Sequence, residues 1–232
     1  MIKNMPGSIP SATLGLLIDV MQKIASGGIT HSQLGKFAKK QNPFAVDMTP
    51  AGQLASWGEL LKTLFGLEID TTTVPIPEPV AGLDRLIVVP KGLTLNQIIE
   101  VCCARFENIY LAYNDLDKSV AKNDRINNET YAIWVRDRVE ADEELNNLSA
   151  EDLAKQKIPS LTLMERLLYG LKYHEEMGNH LDVEGVTLCQ GSRYLDGNTP
   201  CVYSRHKSHK LCVGSYHPGR QDAGVRGRQV IC

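Results

Sequence analysis

Leu161-Thr162-Leu163-Met164-Glu165-Arg166-Leu167-Leu168 decides how the rest of the chain is read. Thr162 followed three residues later by Glu165 is a reciprocal cap: hydroxyl and carboxylate each accept a backbone N–H that the first helical turn leaves unpartnered. Met164, Leu167, Leu168 and Leu171 then share one face. The spacing predicts a helix over 162–177, closed by Gly178 and packed through that face.

Downstream the period shortens. Val186 to Leu188, Cys201 to Ser204, Leu211 to Tyr216 and Arg228 to Cys232 read as short strands. Turn residues separate them at Asp196-Gly197-Asn198, Arg205 to His209 and His217-Pro218-Gly219. A turn centred near His206-Lys207 would set Cys201 opposite Cys212 or its neighbour. Upstream, a strongly acidic stretch from Glu140 to about Lys157 reads as helical, with Ser149 as a cap. Together these elements predict an α+β fold with a small antiparallel sheet and two flanking helices.

Further towards the N-terminus, Arg85–Val89, Asn108–Tyr113 and Thr130–Asp137 are strand-like, Thr94–Phe106 is helical, and Asn114–Asn128 reads as a polar loop. Leu14, Leu17, Ile18, Met21 and Ile24 give one helix a single apolar face, and Leu34 and Phe37 mark a short helix over about 31–40. Thr49-Pro50 opens a third helix carrying Leu54, Trp57, Leu60, Leu61 and Leu64. Pro75, Pro77 and Pro79 can continue neither a helix nor a central strand. The expected division is therefore a helical segment (1–73), a proline linker (74–82) and an α+β domain (83–232).

The 232 residues are 43% hydrophobic and 22% charged, with a net charge of −2. That balance excludes wholesale disorder and a strongly charged nucleic-acid or membrane binder. No apolar run is long enough to span a bilayer, so no membrane partner is expected. The first residues lack a secretory pattern, which makes a cytoplasmic location the expectation, with all six cysteines as thiols.

Motifs for chemistry are sparse. His174 and His180 flank Glu175 and Glu176 without forming HExxH; GxSxG, GxGxxG and a P-loop are all missing from the sequence. No catalytic residue, metal site or cofactor is expected. The alternative is an enzyme using His174, or His206, His209 and His217, with nearby carboxylates and with or without a metal.

Charge is distributed unevenly. Residues 139–184 carry eleven acids against four bases, while residues 186–232 carry two acids against seven bases. Either the two regions offset one another, or the tail offers a basic face to an anionic partner. That tail is also dense in Tyr, Ser, Asn, His and Arg, side chains that combine rigid contact area with adaptable hydrogen bonding. Lacking interleaved basic and aromatic residues, it does not favour nucleic acid.

The segments Thr130–Asp137, Val139–Glu144, Leu161–Leu168, Thr187–Tyr194 with Asp196-Gly197, and Val225–Val230 resemble a family of uncharacterised bacterial proteins. Their order is similar to the C-type-lectin-like fold and to the variable proteins of diversity-generating retroelements. The resemblance covers about residues 85–232. It implies a ligand-contacting surface at Tyr194, Asn198, Tyr203, Arg205, His206, Tyr216, His217 and Arg220. The lectin calcium triplets Gln-Pro-Asp and Glu-Pro-Asn do not occur, which argues against calcium-held sugar. The expected function is a non-enzymatic recognition module for a protein or small ligand, with the N-terminal helices available for oligomer contacts.

Overall fold

A computed structural model describes residues 11–26, 29, 31–39, 47–205 and 210–232. The chain divides into two compact units, Met1–Asp47 and Met48–Cys232. In the first, α1 (Ser11–Ala25) and α2 (His31–Ala38) lie where apolar spacing places them. Asn42-Pro43, a dipeptide that cannot continue a helix, lies outside the described residues.

The second unit begins earlier than the prolines suggest. Helix α3 (Pro50–Phe65) starts on the Thr49 hydroxyl, which accepts the Gly52 N–H, and ends at left-handed Gly66. It buries Leu54, Trp57, Leu60 and Leu61 in the main core. Trp57 Nε1 donates to the Leu86 carbonyl at 2.8 Å. The Gln53 carboxamide donates to Asp84 O and accepts from Leu86 N, in the manner of an additional strand edge. The expected boundary at 74–82 is thus corrected: Val74 is buried, and Pro77 O accepts from Trp134 Nε1 at 2.8 Å. Prolines forbid regular structure, but they leave an extended chain free to pack.

Strand β1 (Arg85–Val89) pairs antiparallel with the later β4 (Tyr131–Val135). Between them run α4 (Leu95–Arg105), β2 (Asn108–Leu111), α5 (Leu116–Ser119) and β3 (Val120–Asn123). The expected loop over 114–128 therefore contains a helical turn and a strand. The acidic stretch is also corrected. It holds only a single 3-10 turn (Glu143–Leu145) and α6 (Ala150–Lys155), the latter capped by Ser149 and Asp152.

Helix α7 (Leu163–Met177) forms as the sequence dictates, with both halves of the Thr162/Glu165 cap and a left-handed Gly178. Leu163, Leu167, Leu168 and Leu171 are buried. Glu165 has a second task. Its carboxylate receives Arg125 Nε at 2.6 Å and Nη2 at 2.7 Å, and the Tyr131 hydroxyl at 2.9 Å.

Strands β5 (Val186–Leu188), β6 (Ser192–Tyr194), β7 (Thr199–Arg205), β8 (Lys210–Tyr216) and β9 (Val225–Gly227) follow. The principal sheet has the order β2-β8-β7-β5-β9. It is mixed, because β2 joins β8, and β5 joins β9, in parallel. The expected all-antiparallel sheet is corrected on this point: long connections permit parallel pairing where hairpins cannot. The final strand ends at Gly227, with Gln229 and Ile231 making only isolated bridges. The fold is α+β.

Candidate recognition face

Alternation along β7 and β8 separates two environments. Val202, Leu211 and Val213 face the main core, against which Ile109 and Leu111 of β2 also pack. Cys201, Tyr203, Cys212 and Gly214 therefore point to the opposite, outer side. Register aligns these residues into rows. Tyr110, Cys212 and Tyr203 are successive cross-strand neighbours, as are Asn108, Lys210 and Arg205. Adjacent strands lie about 4.8 Å apart, so each row forms a continuous contact line.

Part of this outer side is covered. Leu188, Cys201 and Val225 form a small apolar cluster joined by Val186 and Tyr216, and Leu153 and Leu145 close over Gly227. A Cβ at Gly227 would lie 2.9 Å from Leu153 Cδ1, so glycine is what lets α6 seat there. The β2-β8 side remains open: Tyr110 is 48% exposed, Tyr203 half-buried and Arg205 exposed.

Cations sit on these rings. Lys210 Nζ lies 5.6 Å from the Tyr110 centroid, and the Arg220 guanidinium lies 5.3 Å from that of Tyr216. Arg220 also pairs with Asp222 at 2.7 Å, and the Tyr216 hydroxyl donates to the same carboxylate. Burial, reinforced by Asp222, pushes the Tyr216 phenol up to about 12. Burial likewise raises Tyr203, although Arg205 beside its hydroxyl opposes the shift. Both phenols are therefore neutral hydrogen-bonding groups at neutral pH.

Of the expected contact residues, Tyr203, Arg205, Tyr216 and Arg220 are carried by β7, β8 and the segment just after β8. His217 is exposed beyond β8, with Nδ1 accepting the Gly219 N–H at 3.3 Å. His206 lies outside the described residues, as do Lys207 and His209. Two positions are corrected. Tyr194 is only 2% exposed, its hydroxyl donating to Gly214 O at 3.3 Å and its ring 4.4 Å from that of Tyr113. Asn198 is consumed by its turn, with Nδ2 donating to Asp196 Oδ2 at 2.8 Å and its N–H to Oδ1 at 3.0 Å. Tyr110 and Lys210 were missed. Tyr110 stands between apolar Ile109 and Leu111, an alternation that identifies an outward residue, but its neighbours come from β8, a hundred residues away.

The cysteine register differs from expectation by one pair. Cys201 lies opposite Gly214, and Cys212 lies opposite Tyr203. The pairing centres one residue further along than assumed, and all six cysteines are free.

Elsewhere, His174 and His180 stack with centroids 5.0 Å apart, both against Phe106. Among the described residues no three His, Cys, Asp or Glu side chains converge as a metal site, and no helix is long and apolar enough to cross a membrane. No protein-family model, curated protein or solved structure matches this chain.

Proposed function

We propose that this protein is a non-enzymatic recognition module that engages an acidic protein segment through the outer face of β2, β8 and β7. The observation that carries the reading is the pair of aligned rows, Tyr110–Cys212–Tyr203 beside Lys210–Arg205. Tyrosine supplies broad contact area at low entropic cost, and the cations select for negative charge. The C-type-lectin-like arrangement, the likeness to retroelement variable proteins and a cytoplasmic setting belong to the same proposal. Six free thiols, four of them buried, are compatible with a reducing compartment.

Backbone NMR with a polyglutamate peptide tests the proposal, with polylysine as control. Shifts clustered at 110, 203, 205 and 210, and removed by Arg205→Glu, are the expected result. Polyglutamate shifts centred elsewhere, or equal responses to both peptides, would sink it.

A second contact role falls to α1, where Leu14, Leu17, Ile18 and Met21 are exposed along one helical side. The proposed occupant is the same helix of another copy. Light scattering should then show an oligomer that Leu17→Lys with Met21→Lys converts to monomer; a monomeric wild-type protein would end this reading.

A further inference from the structure

A cleft that shares no residue with the tyrosine face opens between β3, β6 and the segment following α6, with a volume of about 450 Å³. Its walls carry Lys122, Arg125, Lys157 and Arg193 against one acid, Asp124. Lys122 and Arg193 are cross-strand neighbours. Lys157 is fixed just past the helix by a left-handed backbone, φ 55°. At Gly191, which also lines the cleft, a Cβ would stand 2.7 Å from Ser160 O, so glycine is what lets the chain before β6 approach the segment after α6.

Arg125 is already neutralised by buried Glu165. Lys122, Lys157 and Arg193 make no ion pair among the described residues, which leaves three cations against one acid, a surplus of two. Arg193 is half-buried, and among the described residues its guanidinium donates only to the carbonyls of Gln190 and Ser192. Burial without a paired carboxylate lowers its pKa, with Asp124 opposing. Beside it Gln190, 8% exposed, leaves Oε1 buried with no hydrogen-bond partner among the described residues. A buried acceptor of this kind is costly unless a donor arrives.

We infer that this cleft binds a hydroxylated phosphate monoester of the sugar-phosphate class. The phosphate would lie against Lys122, Lys157 and Arg193, with a ligand hydroxyl donating to Gln190 Oε1. A phosphate concentrates close to two negative charges on three acceptor oxygens, matching the surplus and the number of cationic donors. The cleft has room beyond the phosphate for a sugar-sized body.

Titration calorimetry of the full chain with ribose 5-phosphate, inorganic phosphate, ribose and succinate tests the assignment. Ribose 5-phosphate should saturate at or below ~1 mM and bind about ten-fold more tightly than phosphate, with Gln190→Leu erasing that difference. Lys122→Gln and Lys157→Gln, both at exposed positions, should each weaken binding about ten-fold without moving the melting temperature. No saturation by ribose 5-phosphate up to ~10 mM would overturn the site. So would binding unchanged by the lysine substitutions, and succinate binding equally well would overturn the phosphate assignment.

Discussion

Arg228 Nη2 donates to Asp182 Oδ1 at 2.7 Å, with both side chains essentially sealed from solvent. Arg166 takes the other oxygen through Nε and Nη2, and the Thr187 hydroxyl donates to it as well. One buried carboxylate therefore ties α7, β5 and the segment after β9 together, beneath the sheet that carries the tyrosine face. Arg228→Met leaves Asp182 paired with Arg166 but strips its other oxygen, and the Arg138 and Val139 carbonyls, of their donors, so it should lose about 1–3 kcal/mol. Urea unfolding measures this; a loss under ~1 kcal/mol would show the network to be dispensable.

The same carboxylate sets an acid limit. Burial raises the Asp182 pKa, but Arg228, Arg166 and Thr187 together outweigh it and hold the group below its ordinary value. A depressed carboxyl contributes stability that is complete above its unfolded pKa, about 3.9, and is lost as pH falls through the lower folded value. Wild-type stability should therefore fall below about pH 4 more steeply than that of Asp182→Asn, as followed by denaturant midpoints. Parallel profiles would remove Asp182 from the acid transition.

Leu168 is fully buried on α7. Leu168→Ala should cost about 2–5 kcal/mol, and Thr162→Ala about 0.5–2 kcal/mol through loss of the cap. Thermal melts distinguish the two: an unshifted Leu168→Ala would take this helix face out of the core.

Tyr194 and Tyr203 make a matched contrast. Tyr194→Ala should destabilise by about 3 kcal/mol or more, because it empties a core site. Tyr203→Ala should stay within about 1 kcal/mol and act on binding instead. Equal melting shifts would contradict their assignment to opposite sides of the structure.

Thiol labelling reads the burial pattern directly. Cys103 and Cys232 are exposed, whereas Cys102, Cys189, Cys201 and Cys212 are buried. Burial pushes the Cys201 thiol up to about 12, which disfavours the reactive thiolate. Native protein should label at two positions and denatured protein at all six. Rapid native labelling of Cys201 would show the outer cluster to be open.

Local chemistry made α3, α4 and α7 legible. Thr49-Pro50 and Thr162 with Glu165 are complete instructions within four residues, while α4 is legible from its apolar run and its Thr94/Gln97 cap emerges only in the structure. Glu140–Lys157 misled because dense carboxylates resemble a solvated helix, although Glu140 instead accepts the N–H groups of Val183, Glu184 and Gly185. Half of the proposed contact face was visible as well, since Tyr203 and Arg205 alternate along a single strand.

By itself, then, the sequence determined where α3 and α7 begin and end, which residues alternate along β7 and β8, and that the chain beyond the prolines mixes helices with a sheet. Tertiary structure alone decided that Tyr194 turns inward, that Tyr110 and Lys210 stand beside Tyr203 and Arg205, and that Gln190 meets Lys122, Lys157 and Arg193. The reason is range. A cap or an alternation is settled between neighbours, whereas a parallel pairing such as β2 with β8 joins residues a hundred positions apart and becomes defined only when the core closes.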